Sequence, residues 1–186
     1  MANFTKQAIK FSFLKLLNEQ PLNKITVRDI VEDCGINRNS FYYHYQDIPT
    51  LIEEIIMELF DRLLKKYPNI TSLSDVFKTV VEFSLKNKRA LLHIYNSVKR
   101  DVFEDYLLKY CEYVVTAYID TVYKEKLISD KDRKIVLRFV KCQLFGSSLD
   151  WLNSGMQMEQ AEELQRMLLL CKDLPDEIIK SSGEIN

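Results

Sequence analysis

The stretch "ITVRDIVEDCGINRNSFYYHYQDIPTLIEEII" runs from Ile25 to Ile56. Its caps and its single glycine say where helices start and stop. After Thr26, the residues Val27, Ile30, Val31 and Cys34 recur at spacings of three and four, the period of an amphipathic helix. Thr26 is therefore a predicted N-cap, and Asp29 can complete a capping box with it. Gly35 ends the helix, because glycine enters the left-handed conformation without a steric penalty. Asn37 caps a second short helix that turns Phe41 and Tyr45 inward. Asp47 caps a third, with Pro49 in the first turn, where a missing N–H costs little. There Leu51, Ile55, Leu59 and Leu63 carry the apolar period to about Lys66. Two short helices joined by a tight glycine turn, the second of them N-capped, make a helix-turn-helix.

Outward from this stretch the pattern stays helical. A first helix is predicted over about Thr5 to Glu19, with Ile9, Phe13, Leu16 and Leu17 on one face. "EQPLNK" breaks it, since Pro21 disfavours helix at Gln20. Beyond the loop "YPNITSLS" come longer helical patterns near residues 73–87, 89–98, 101–126, 130–153 and 157–171. Asp130 is a fair cap and Gly155 suits a helix C-terminus. "KDLPDEIIKSSGEIN" reads as a short terminal piece. Four glycines and four prolines in 186 residues are too few for the turns of an all-β fold. The expected fold is all-α: a helix-turn-helix domain over 1–47, a connector helix over 48–67, and a helical regulatory and dimerisation domain over 68–186.

Apolar residues make up 47% of the chain, enough for a buried core. The 26 basic and 27 acidic residues nearly cancel, so a nucleic-acid interface has to be local. No apolar run approaches the roughly 18 residues of a membrane span, and the N-terminus shows no signal-peptide cleavage site. Cys34, Cys111, Cys142 and Cys171 form no C-x-x-C pair and read as free thiols of a cytoplasmic protein. The histidines His44 and His93 fit no H-E-x-x-H pattern, and no G-x-S-x-G, Walker or dinucleotide motif occurs. Neither an enzyme nor a metal or other cofactor is expected.

The chemistry concentrates in "NRNSFYYHY", residues 37–45. A major groove about 12 Å wide admits one helix, whose first residues reach base edges. Arg38 and Asn39 suit guanine and adenine edges. Ser40, Tyr42 and His44 can donate to phosphates, and Tyr43 can meet a thymine methyl or a phosphate. Asn37, Thr26 and Arg28 sit at helix N-termini, which attract anions. The plainer readings stand beside these: Tyr42 and Tyr43 as core or ordinary surface, His44 as a surface histidine, Arg28 as an ion pair with Glu32 at i+4. Over residues 1–48, Lys6, Lys10, Lys15, Lys24, Arg28 and Arg38 face Glu19, Asp29, Glu32, Asp33 and Asp47, a net of +1. Binding to double-stranded DNA would then show a modest salt slope.

Residues 26–51 resemble the signature T-x-x-x-I-A-x-x-A-G-V-S-x-G-T-x-Y-x-H-F-x-x-K-x-x-L of the TetR family of bacterial transcriptional regulators. Thr26, Ile30, Gly35, Tyr42, His44 and Leu51 match outright. Ile36, Ser40 and Tyr45 stand for Val, Thr and Phe. Asn37 and Asn39 replace the family's serine and small glycine, and Ile48 replaces a lysine that contacts the DNA backbone. The resemblance covers roughly residues 5–60, and the "NRNSFYYHYQDI" form is similar to the branch that includes the activator of dihydroxyacetone kinase genes. It implies an all-α homodimer that binds a palindromic operator. In such proteins the last two long helices dimerise, and a small-molecule effector tilts the connector helix. The expected function is a repressor of this kind. The alternative is an adaptor or activator acting mainly through a protein partner.

The C-terminal readings are two. Leu144, Phe145, Gly146, Ser147 and Trp151 on one helix, with Leu164, Met167 and Leu168 on the next, suit a four-helix dimer seam or, alternatively, intrachain core. Tyr106, Tyr110, Tyr113, Tyr118 and Tyr123 could line an effector pocket or simply pack an amphipathic helix.

Overall fold

The computed structural model describes residues 2–66, 70–122, 129–172 and 177. Nine α-helices fill them: α1 Ala2–Glu19, α2 Val27–Cys34, α3 Arg38–His44, α4 Ile48–Lys66, α5 Leu73–Lys86, α6 Lys88–Tyr95, α7 Arg100–Val122, α8 Asp130–Asn153 and α9 Met158–Leu170. No strand occurs among the described residues, as an all-α fold requires. The sequence did not announce the single 3-10 turn Leu22–Lys24 after Pro21. Tyr123, the expected end of its helix to 126, and most of the terminal segment from Asp173 lie outside the described residues.

Local chemistry explains the helix ends around α2 and α3. The Asp29 amide donates to Thr26 Oγ1 at 3.3 Å, and the Thr26 amide donates back to Asp29 Oδ2 at 2.8 Å, closing the capping box. Gly35 takes φ 69°, ψ 30°, and its amide donates to Val31 O. The Ser40 amide donates to Asn37 Oδ1 at 2.8 Å and starts α3. The Thr50 amide donates to Asp47 Oδ1 at 2.7 Å and starts α4. Each cap satisfies a helix N–H that has no partner inside the helix.

The chain divides into two compact units. The first joins residues up to Phe60 with Asn87–Tyr106. Its core holds Ile9, Phe13 and Leu17 of α1, Ile30 of α2, Phe41 at the middle of α3, Tyr45 just after it, and Leu51, Ile52 and Ile56 of α4, none more than 1% exposed. α6 belongs to this unit and packs on α1. Arg89 of α6 donates from Nη1 to the Asn18 carbonyl at 2.7 Å, supplying a partner to the last turn of α1.

The second unit comprises Asp61–Lys86 and the chain from Leu107 on. Val115 and Ile119 of α7 bury against Val136 of α8, with Tyr118, Leu137, Val140 and Leu144 around them. α9 packs on α5. The turn from α8 to α9 puts both Gly155 (φ 79°) and Met156 (φ 56°) in the left-handed region. Such a conformation costs a non-glycine residue roughly 1–2 kcal/mol. Complete burial of the Met156 side chain and its amide's bond to Trp151 O at 2.8 Å offset this.

Candidate nucleic-acid interface

Seven residues, Arg38–His44, form a helix roughly 10 Å long at 1.5 Å per residue, about the width of a major groove. Two rings pin it to the core: Phe41 is 0% exposed and Tyr45 1%. Because these occupy the inward face, the neighbouring side chains are forced outward. Arg38, Asn39, Tyr42 and Tyr43 are exposed, Tyr43 at 81%. His44 is half-buried and meets Tyr43 edge-on at 5.0 Å. Tyr42 meets Phe41 edge-on at 5.6 Å, which orients its phenol without burying it. Core burial of Tyr42 and Tyr43, one of the plainer readings, is therefore excluded.

The site residues split by what their polar atoms already do. The Thr26 hydroxyl donates to Asp29 Oδ2 at 2.7 Å, so its proton is committed to the cap. That same bond holds the Asp29 carboxyl below the usual carboxylate range. The Ser40 hydroxyl donates to Asn37 Oδ1 at 3.1 Å, so its proton goes to the same oxygen that caps its amide. Arg28 donates from Nε to Glu32 at 2.6 Å in an exposed i,i+4 pair, a contact worth little in water and easily exchanged for a phosphate. The side chains of Arg38, Asn39, Tyr42, Tyr43 and His44 have no hydrogen-bond partner among the described residues. Thr26, Asn37 and Ser40 thus build the platform, and the other five present free donors and acceptors.

Of the C-terminal residues, two make contacts within the chain, as the intrachain alternative expects. Trp151 is only 5% exposed, and its indole N–H donates to Gln157 O at 2.8 Å within its own chain. Leu144 packs on the Val115–Ile119–Val136 cluster. Trp151 is buried and Leu144 is half-buried. Phe145, Ser147, Leu164, Met167 and Leu168 are half-buried, and Gly146 is exposed. The apolar stripe that α8 leaves open instead runs through Ile135 (55% exposed), Phe139 (50%), Cys142 and Gly146, at i, i+4, i+7 and i+11.

Of the four tyrosines proposed for a pocket, Tyr106, Tyr110 and Tyr113 follow one another at i, i+4 and i+7 on one face of α7. Tyr106 stacks on Phe60 at 6.0 Å in the first unit, Tyr110 is buried, and Tyr113 is half-buried. Tyr118 lies about 120° round α7 from Tyr106 at 100° per residue. It alone of the four lines the second unit's cavity of about 350 Å³. Leu73, Phe139, Val140, Leu144, Met167 and Leu168 supply its apolar wall, and Thr71, Ser72 and Gln143 its polar groups. No cluster of metal-ligating residues occurs among the described residues, and no described helix is long and apolar enough to cross a membrane.

Comparison with known proteins bears on this geometry. Residues 14–55 match the profile of bacterial regulatory proteins of the tetR family, and residues 71–173 match that of a transcriptional regulator C-terminal region. An uncharacterised HTH-type transcriptional regulator of Bacillus subtilis (strain 168), YxbF, is 28% identical over 93 residues. The match covers 50% of this chain and 23% of that protein, so the chain spans about a quarter of its relative's length. The structure of the dihydroxyacetone kinase operon activator DhaS superposes with a TM-score of 0.74 over 96% of this chain and 97% of that one. At 19% identity the likeness is one of fold.

Proposed function

Given that this chain belongs to the TetR family of transcriptional regulators, we propose that it acts as a homodimeric repressor, inserting α3 into successive major grooves of a palindromic operator. One observation carries the reading: α3 is fixed by two buried rings while five side chains suited to bases and phosphates have no hydrogen-bond partner among the described residues. Arg38 and Asn39, in its first turn, read base edges. Tyr42, Tyr43 and His44 contact the backbone or a thymine methyl. Arg28 trades Glu32 for a phosphate. The stripe Ile135–Phe139–Cys142–Gly146 supports dimerisation, since a second copy would cover it. Two copies of α3 then address half-sites about 34–36 Å apart. The cavity in the second unit supports an effector that is mostly apolar.

The test is a mobility-shift titration against DNA upstream of the chain's own gene, with random duplex as competitor. A shift resistant to that competitor at physiological salt supports the proposal. Equal loss to both duplexes defeats it.

A second reading, an activator or adaptor that works through a protein partner, has its own observation. Phe4 and Phe11 on α1 are 83% and 73% exposed, an aromatic pair that no described residue covers. A stoichiometric partner recovered with the wild-type chain and lost from Phe11→Glu would favour it.

A further inference from the structure

Lys10 is the one charged residue buried among the described residues, at 4% exposure. Its ammonium donates to Glu54 Oε1 at 2.6 Å and to Glu58 Oε1 at 2.5 Å, two carboxylates one turn apart on α4. Lys6, one turn earlier on α1, donates to both Glu54 oxygens at 3.1 and 2.8 Å. The Lys6 ammonium also lies 5.4 Å from the centre of the Tyr45 ring. Tyr45 closes the C-terminal end of α3, its amide bonded to Phe41 O at 2.9 Å. Burial, and then the negative charge of Glu54, push its phenol well above the ordinary range, so it stays neutral beside that carboxylate. Its hydroxyl does not reach hydrogen-bonding geometry there. Three elements, α1, the end of α3 and the first half of α4, therefore meet at one balanced cluster of two lysines and two glutamates.

A greasy joint would hold α1 on α4 as firmly, because desolvating ions consumes most of what their attraction returns. What ions add is direction. A lysine seated between two carboxylates gives up one of its two partners if it moves one turn along α4, whereas leucines repack.

We propose that Lys10, gripping Glu54 and Glu58, is a positioning residue: it locks α4 to α1, and Lys6, bound to the same Glu54 and lying over the Tyr45 ring, carries the joint to the end of the recognition helix, so that the cluster sets the aim of α3. This rests on α3 as the DNA-reading element. α4 runs on past Phe60 into residues of the second unit, so the lock makes α1 and α3 follow α4.

The test uses the full-length chain carrying K10M, E54Q and E58Q together, which removes the buried ammonium with both its carboxylates and leaves only Lys6, 36% exposed, to be met by water. Hydrogen exchange of the α3 amides, Tyr45 N–H included, and operator affinity are measured below the melting temperature. Exchange in α3 about 10-fold faster than wild type, with α5 and α9 unchanged, and affinity down about 10-fold are the size of effect expected of a coupling network. Native exchange in α3 together with native affinity would overturn the proposal. Should the triple variant not fold, E58Q alone, at the more exposed carboxylate, decides the matter on the same two readouts. A wild-type chain that binds no duplex specifically would sink the DNA reading by itself, while α3 exchange in the variants would still judge the joint.

Discussion

α3 and α8 each show solvent a face that the surrounding unit leaves open, and the two faces differ in kind. On α3 the open groups are a guanidinium, an amide, two phenols and an imidazole. Water satisfies them, so their exposure costs nothing until a better partner arrives. On α8 the open groups include Ile135 and Phe139, each about half exposed. Hydrocarbon left in water forgoes roughly 25 cal/mol per Å², so covering that face would be favourable. A polar open face fits a hydrated, charged partner such as a nucleic acid, and an apolar one fits a surface like itself.

The contrast can be broken at either end. The largest effect is expected at Phe41→Ala, which empties a fully buried ring site and should cost about 3–5 kcal/mol in urea denaturation. A much smaller loss would mean that α3 is not pinned as described. Next, Ile135→Glu with Phe139→Glu should raise the dimer dissociation constant at least ~100-fold, about 2.7 kcal/mol, in sedimentation equilibrium, with little change in subunit helicity. An unaltered dimer would place the interface elsewhere. Arg38→Ala should weaken operator binding by about 1–3 kcal/mol and relax sequence preference at one base pair. A loss equal on every duplex would reassign Arg38 to the phosphates. The smallest effect belongs to Tyr42→Phe, about 1 kcal/mol on all sequences alike for a single lost hydrogen bond, measured by fluorescence anisotropy. Unchanged affinity would remove the Tyr42 hydroxyl from the interface.

The two regions also differ in how far they could be read in advance. Around α3 the deciding interactions reach three or four residues: Thr26 to Asp29, Asn37 to Ser40, Phe41 to Tyr45. On α8 they reach across the chain. Apolar residues occur on both its inner and outer faces, so the pattern could not say that Leu144 and Trp151 turn inward while Ile135 and Phe139 stay out. The Lys10 cluster left one trace, two like-charged pairs of opposite sign at the same i,i+4 spacing, Lys6 with Lys10 and Glu54 with Glu58. Nothing local says that the two pairs meet.

By itself the sequence determined the helix limits about the glycine turn, the inward rings of α3 and the polar flank beside them, because caps, left-handed glycines and i,i+4 spacing are properties of a few consecutive residues. Tertiary packing alone settled that α6 joins α1, that Lys10 is enclosed by carboxylates 44 and 48 residues away, and which side of α8 is left bare. Those outcomes depend on which surfaces distant segments bring together, and a helical period marks an apolar face without saying what will cover it.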